Sequence, residues 1–219
     1  MPLIHESQEG VGYAYGVRFL NPSHELYQQG CEFRETDFGN RIWPSNFSLM
    51  DYLLHYPPEE NLNILVVGCG TGCLTSFCHV RLEAASIVCM DHDPAVIPLM
   101  GAGVLLNHHS VKFIAGDYNS LDEKHIQGMD LLLGSDICYY EQHSKEVHEM
   151  IRAFFKHAND QARVVLGIPY NRIGLDALVE KCNNDETLNS KMEESWRHIS
   201  DHRPSRLAKC YILDIRKGE

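Results

Sequence analysis

The stretch Ile64-Leu-Val-Val-Gly-Cys-Gly-Thr-Gly-Cys-Leu74 decides the fold of this chain. An unbroken apolar run ends in three alternate glycines, Gly68, Gly70 and Gly72, and then turns apolar again. That pattern reads as a buried strand turning tightly into a helix, with backbone free of Cβ atoms where a ligand would approach. The spacing is G-x-G-x-G. The dinucleotide fingerprint G-x-G-x-x-G would need its third glycine at position 73, which is Cys73. Downstream, an apolar run ends in Asp91, placed to accept hydrogen bonds from two ribose hydroxyls. A ribose is common to NAD and S-adenosylmethionine, so the acid alone does not choose between them.

Outward from this loop the chain alternates short β-rich runs with helical ones. Asn63 to Val67, Ser86 to Asp91, Val111 to Asp117, Met129 to Asp136 and Arg163 to Tyr170 read as strands. Several are apolar at consecutive positions, as parallel strands covered on both faces are. Val147, Met150, Ile151, Phe154 and Phe155 form one helical stripe, and Leu175, Leu178, Val179 and Cys182 another. Pro94 suits the first turn of a helix running toward Asn107. The fold class expected is α/β: a Rossmann-like, doubly wound, mostly parallel sheet. Near the end, Trp196 to Ser200 and Ala208 to Arg216 read as two strands joined by the polar stretch Asp201 to Ser205. That hairpin would leave one antiparallel C-terminal strand.

Residues 1–219 are expected to form a single domain, with 1–45 as an N-terminal extension or lid. Within the extension Val11 to Leu20 reads as a strand, and Ser45 as the cap of a helix carrying Leu49, Leu53 and Leu54. The start MPLIHESQEG lacks the basic and apolar regions of a signal peptide, and no apolar run is long enough for a membrane span. The eight cysteines have no framework spacing. Cys69, Cys73, Cys78 and Cys89, with His79, lack paired C-x-x-C spacing, so they read as small core residues rather than metal ligands. A reducing, cytoplasmic setting fits.

There are 19 Lys and Arg against 30 Asp and Glu, a formal net charge of −11. Such a field repels polyanions, so no nucleic acid partner is expected, and a cationic one is the easier match. The basic residues Arg197, Arg203, Arg206 and Lys209 read as a solvated hairpin face.

Three motifs together carry a resemblance. GCGTG after the first strand, Asp91 in CMDHDP after the second and Asp117 in AGDYNS after the third resemble the class I, seven-strand, S-adenosylmethionine-dependent methyltransferases. The WP segment in RIWPSNFSLMDYLL and the D-x-x-Y motif in GSDICYY resemble the branch containing the non-SET protein lysine methyltransferases. The resemblance covers the chain from Gly39 and implies a seven-stranded sheet closed by a hairpin. It also implies roles. The loop Gly68, Cys69, Gly70 and Gly72 would cradle the methionine part of the cofactor, and Asp91 with neighbouring His92 would hold the ribose. Asp117 and Tyr118 would meet the adenine, Trp43 would pack as a lid, and Asp136 and Tyr139 would face the substrate.

The implied reaction is transfer of a methyl group from S-adenosyl-L-methionine to a lysine amine of a protein, with a basic protein as a fitting substrate. A small-molecule methyltransferase and a noncatalytic, cofactor-binding interaction protein are the alternatives. One position departs from the family: the acidic residue usual two places before the first glycine is Val66. On the sequence alone, Val66→Glu is expected to leave cofactor binding unchanged or strengthen it, and Asp136→Ala to keep the fold while abolishing most transfer.

Overall fold

The computed structural model describes residues 5–6, 11–20, 42–199 and 206–218. The apolar runs flanking the glycine loop become the centre of a seven-stranded sheet. Its strands are β4 (Asn63–Val67), β5 (Ser86–Asp91), β6 (Lys112–Ala115), β7 (Leu131–Ser135), β8 (Arg163–Pro169), β9 (Leu188–Ile199) and β10 (Arg206–Lys217). They lie in the order β6-β5-β4-β7-β8-β10-β9. From β6 to β8 all pairings are parallel, and β10 runs antiparallel to both β8 and β9. The expected Rossmann-like sheet is present, with the antiparallel strand inserted beside β8 rather than at the rim. The central strands β4 and β7 are almost entirely buried, which explains their unalternating sequences.

Two expected strands have different bounds. β6 stops at Ala115, leaving Asp117 in a following turn, because this edge strand pairs only with β5. β9 starts at Leu188, eight residues before the expected Trp196. It too is an edge strand, so LNSKMEES needs no apolar face on its unpaired side and carries little pattern. The expected connecting stretch 201–205 lies outside the described residues, as do the side chains of Arg197, Arg203 and Arg206. Lys209 is not simply solvated: it pairs with Glu194 at 2.6 Å and lies over the rings of Trp196 and Tyr211.

Helices cover both faces: α1 (Pro44–His55), α2 (Cys73–Leu82) and α3 (Ile97–Leu105) on one side of the chain order, then α4 (Glu123–Ile126), α5 (Glu141–His157) and α6 (Gly174–Asn183). Both apolar stripes read from the sequence point inward. Val147, Met150, Ile151, Phe154 and Phe155 are buried on α5, and Leu175, Leu178 and Cys182 on α6. The seven described cysteines are all buried and unbridged. No described helix is long and apolar enough to cross a membrane.

Helix α1 lies along β8, and the sequence permits this at one point. A Cβ on Gly167 would meet the Ser45 carbonyl oxygen at 2.9 Å. Ser45 does not cap the helix as expected. Trp43 takes the cap position, Pro44 opens the first turn, and the buried Ser45 hydroxyl accepts a hydrogen bond from Ser135 at 2.9 Å.

The stretch 11–20 is a hairpin rather than one strand. β1 (His5–Glu6), β2 (Val11–Ala14) and β3 (Val17–Leu20) form a small antiparallel sheet. The reversal occurs at Tyr15 and Gly16, both at positive φ, which is the geometry of a tight two-residue turn. Tyrosine rarely adopts it, so the turn is invisible in the sequence. The hairpin packs on α2 through a Tyr15–Phe77 edge contact, with Gly16 against Arg81, and is tied to Asn107 through the Arg18 backbone. Arg81 lies at the far end of α2 from the glycine loop.

On this same side His109 is 8% exposed and stacks on His79 with centroids 4.3 Å apart. Burial first, and the neighbouring His79 second, push the His109 pKa down from 6.5 to about 4. The folded state therefore binds fewer protons than the unfolded one between those values. Stability from this group should be complete above pH 6.5 and be lost as the pH falls toward 4, by about 3 kcal/mol at the upper end. Urea unfolding across pH 4 to 7 checks this: His109→Gln should flatten the slope in that window, and an unchanged slope would assign it to other groups.

Candidate active site

Because β4, β5, β6, β7 and β8 are parallel, their C-terminal ends share one edge of the sheet. The chain leaves β4 for β5 on one side, and β7 lies on the other, so the order reverses beside the glycine loop. A crevice at such a reversal is where open α/β sheets bind ligands. Gly68, Asp91, Asp117, Asp136 and the loop after β8 all follow strands that end there.

The loop requires its glycines. Gly68, Gly70 and Gly72 have φ of 64°, 48° and 77°. A Cβ on Gly68 would sit 2.7 Å from the Ile137 side chain, and one on Gly72 would sit 3.1 Å from the Met100 carbonyl oxygen. The loop is fastened by Asp91, which is 4% exposed. Its Oδ2 accepts the Gly70 N–H at 2.9 Å and its Oδ1 the Asp93 N–H at 3.1 Å. Asp91 is not the cap of the next helical turn. Asp93 has that role, accepting from the Ala95 N–H at 2.9 Å.

A carboxylate has about four acceptor sites, so two hydrogen bonds leave Asp91 room for ribose hydroxyls. His92 is mostly exposed, with Nδ1 3.4 Å from Asp91 Oδ1, and that contact raises its pKa. Cys69 is buried, and hydrogen bonding with Cys89 together with burial pushes its thiol well above the usual range. It is loop filling, not a nucleophile.

Asp117 and Tyr118 diverge. Asp117 is exposed and caps the turn Tyr118–Ser120, accepting from the Asn119 N–H at 3.0 Å and the Ser120 hydroxyl at 3.1 Å. Tyr118 is half-buried and donates to the Ile137 carbonyl at 2.6 Å, tying this turn to the loop after β7. Burial raises its phenol pKa. Val66 is fully buried in the core with Ile64, Leu131 and Leu133. A glutamate there would be buried and needs a cationic partner to remain ionised, which corrects the expectation that Val66→Glu is harmless in the free protein.

The substrate end of the crevice is more constrained than the sequence suggests. Asp136 is 1% exposed and has a φ of 55°, strained for a residue with a Cβ. Its N–H donates to the Gly167 carbonyl at 2.7 Å. Its carboxylate accepts two parallel hydrogen bonds from Arg172, Nε to Oδ1 at 2.7 Å and Nη2 to Oδ2 at 2.6 Å. Burial raises the Asp136 pKa while the guanidinium opposes that shift, and the carboxylate in turn raises the pKa of Arg172. The bidentate geometry is that of a carboxylate and a guanidinium, so the pair is ionised at neutral pH.

Arg172 also lies over two rings, 5.4 Å from the Trp43 centroid and 4.7 Å from that of Tyr139. Trp43, Asp136 and Tyr139, all singled out in the sequence, thus converge on one residue that was not. Arg172 belongs to no spacing motif. Its only signal is its place in the loop after β8, at the edge where ligands bind. Burial, and the Asp136 charge second, raise the Tyr139 phenol, which keeps it a neutral donor rather than a base. Among the described residues no group of three or more His, Cys, Asp or Glu side chains is placed to hold a metal ion.

The crevice fits S-adenosylmethionine: a glycine cradle, a buried carboxylate with acceptor capacity at the ribose position, and a separate cation-binding corner. Comparison with known proteins agrees. The lysine methyltransferase family model matches residues 24–170, about two thirds of the chain. No curated protein sequence matches. Among solved structures, the precorrin-6y C5,15-methyltransferase of Geobacter metallireducens superposes with a TM-score of 0.61 at 11% identity, covering 85% of this chain and 94% of that one. An rRNA methylase from Streptococcus thermophilus gives 0.57 at 13%, covering 80% and 95%. The ribosomal protein L11 methylase of Lactobacillus delbrueckii subsp. bulgaricus gives 0.56 at 15%, covering 78% of each chain. These likenesses concern the fold, whereas the family match covers the sequence that builds the crevice. The chain belongs to the lysine methyltransferase family and is an S-adenosylmethionine-dependent methyltransferase on a seven-stranded Rossmann-like sheet.

Proposed function

We propose that this methyltransferase acts on a lysine amine of another protein. The observation that carries the reading is the corner made by Asp136, Trp43 and Tyr139, where a carboxylate and two aromatic faces already surround a cation. An alkylammonium suits such surroundings. The net charge of −11 favours encounter with a basic protein and opposes a nucleic acid. The buried free thiols are those of a protein working in a reducing compartment, and a cytoplasmic setting is part of the reading.

The cofactor supplies an electrophilic methyl group on a positively charged sulfur. The chain's task is alignment and exclusion of water. The loop from Gly68 to Gly72 holds the methionine part, Asp91 and His92 the ribose, and Asp117 and Tyr118 lie toward the adenine. Asp136 orients the ammonium and Tyr139 bounds it. A lysine amine has a reference pKa of about 10.4 and must shed a proton before it attacks. Tyr139 cannot accept that proton and Asp136 is a weak base, so the proton passes to water, aided by desolvation beside a positive sulfur. Incubation with labelled S-adenosylmethionine and a cell extract tests the reading. Label on protein lysine is expected, and label only on RNA or small molecules would overturn it.

Two substitutions test the assignments. Asp91→Ala should weaken cofactor binding about ten- to a hundredfold, the effect of losing hydrogen bonds to a charged acceptor. Calorimetry showing unchanged affinity in a folded variant would reduce Asp91 to a loop fastener.

Asp136→Asn keeps the shape and tolerates the left-handed backbone. Transfer should fall about a hundredfold with cofactor affinity unchanged, the loss expected for a positioned charged group. Asp136→Ala, expected from the sequence to leave the fold intact, should also cost about 3 kcal/mol, because it strands the mostly buried Arg172 without its partner. Full activity of Asp136→Asn on an identified substrate would remove Asp136 from the mechanism.

A further inference from the structure

The cation-binding corner of the crevice is filled by the protein itself. Both oxygens of Asp136 are engaged by Arg172, and the rings of Trp43 and Tyr139 flank the same guanidinium. We propose that Arg172 is an internal stand-in for the substrate's cationic side chain, and that the incoming amine takes over Asp136 as Arg172 swings out. This rests on the reading of the substrate as a lysine amine.

The charges leave few alternatives. If Arg172 stayed, a lysine ammonium would share one carboxylate with a guanidinium, and two like charges about 4 Å apart repel by roughly 4 kcal/mol at an effective dielectric of 20. If the corner stood empty, a carboxylate only 1% exposed would be stranded without a partner. Exchange of one cation for another avoids both costs. It keeps the carboxylate desolvated, charged and aimed throughout.

The segment carrying Arg172 is built for such an exchange. It is the short turn between β8 and α6, closed by an Arg172 N–H to Pro169 carbonyl bond at 3.1 Å. Helix α6 has no side-chain cap, so the turn is not pinned from that end. The residues on either side of the turn point outward. Tyr170 is 61% exposed and Ile173 70%, and Tyr140 on the facing loop is 54% exposed. A Cβ on Gly174 would collide with the Tyr140 carbonyl at 2.5 Å, so the two loops touch. A protein substrate that covers Tyr170 and Ile173 would press on the same turn that holds the guanidinium in place. A free amine, lacking that contact, meets a site already filled. The device selects for a lysine presented on a protein.

The test reads Arg172 directly and needs no turnover. The full chain, with its arginines 15N-labelled and loaded with the demethylated cofactor product, is titrated with n-butylammonium, and n-butanol serves as the neutral control. The Arg172 Nε–H, protected while bonded to Asp136, should lose its protection and move to the position of a solvated arginine with the amine only. Arg172→Gln, measured at pH 8, should bind the amine about tenfold more tightly because the competitor is gone. Saturation by the amine with the Arg172 signal unmoved would overturn the proposal, as would failure of both wild type and Arg172→Gln to bind it. Label transfer to lysine with an unmoved Arg172 would leave the substrate reading standing and this one fallen. Displacement without label on any protein lysine would do the reverse.

Discussion

The bidentate pair between Asp136 and Arg172 is the constraint on which the substrate end of the crevice depends. It holds a residue with a Cβ in a left-handed conformation, fixes the carboxylate plane and lines up Trp43 and Tyr139 against one guanidinium. Removing either partner strands a charge in a place water barely reaches. Buried ion pairs of this kind are weak sources of net stability but strict about geometry, since few arrangements satisfy both groups.

A second pair of the same chemistry stands at the other end of β8. Arg163 forks onto Asp214 through Nε at 2.8 Å and Nη2 at 2.6 Å, while Tyr52 donates to the same carboxylate at 2.7 Å. Tyr52 belongs to the last turns of α1, and Trp43 immediately precedes its first. Helix α1 is thus held against β8 at both ends by an arginine lying over an aromatic ring, with Gly167 allowing close approach between them. Trp43 is positioned by this clamp, so it belongs both to the core and to the crevice.

The two halves of the crevice are built differently. On the cofactor side the contacts come from backbone and one carboxylate, and glycine is required because Ile137 and Met100 crowd the loop. On the substrate side the contacts are side chains from three separate segments, preceding α1, following β7 and following β8. The first half is therefore readable from a short motif. The second exists only after the sheet has brought those segments to one edge.

That division explains what was legible. Local rules carry over where one element decides its own shape. The buried strands, the stripes on α5 and α6, the glycine loop and Asp91 follow from periodicity and backbone freedom, and the motifs around Asp91, Asp117 and Asp136 follow from their place after strands. Edge strands were read less well, because β6 and β9 have one partner each and their sequences are free to be polar. The Tyr15–Gly16 turn was missed since only the packing of its hairpin on α2 compels a tyrosine to positive φ. The sequence by itself determined the sheet, its cofactor loop and the ribose acid, all local in origin. Only the tertiary structure decided that Arg172 meets Asp136 across 36 residues between Trp43 and Tyr139. A charge pair between loops leaves no periodicity behind, and its strength comes from burial that the folded chain alone provides.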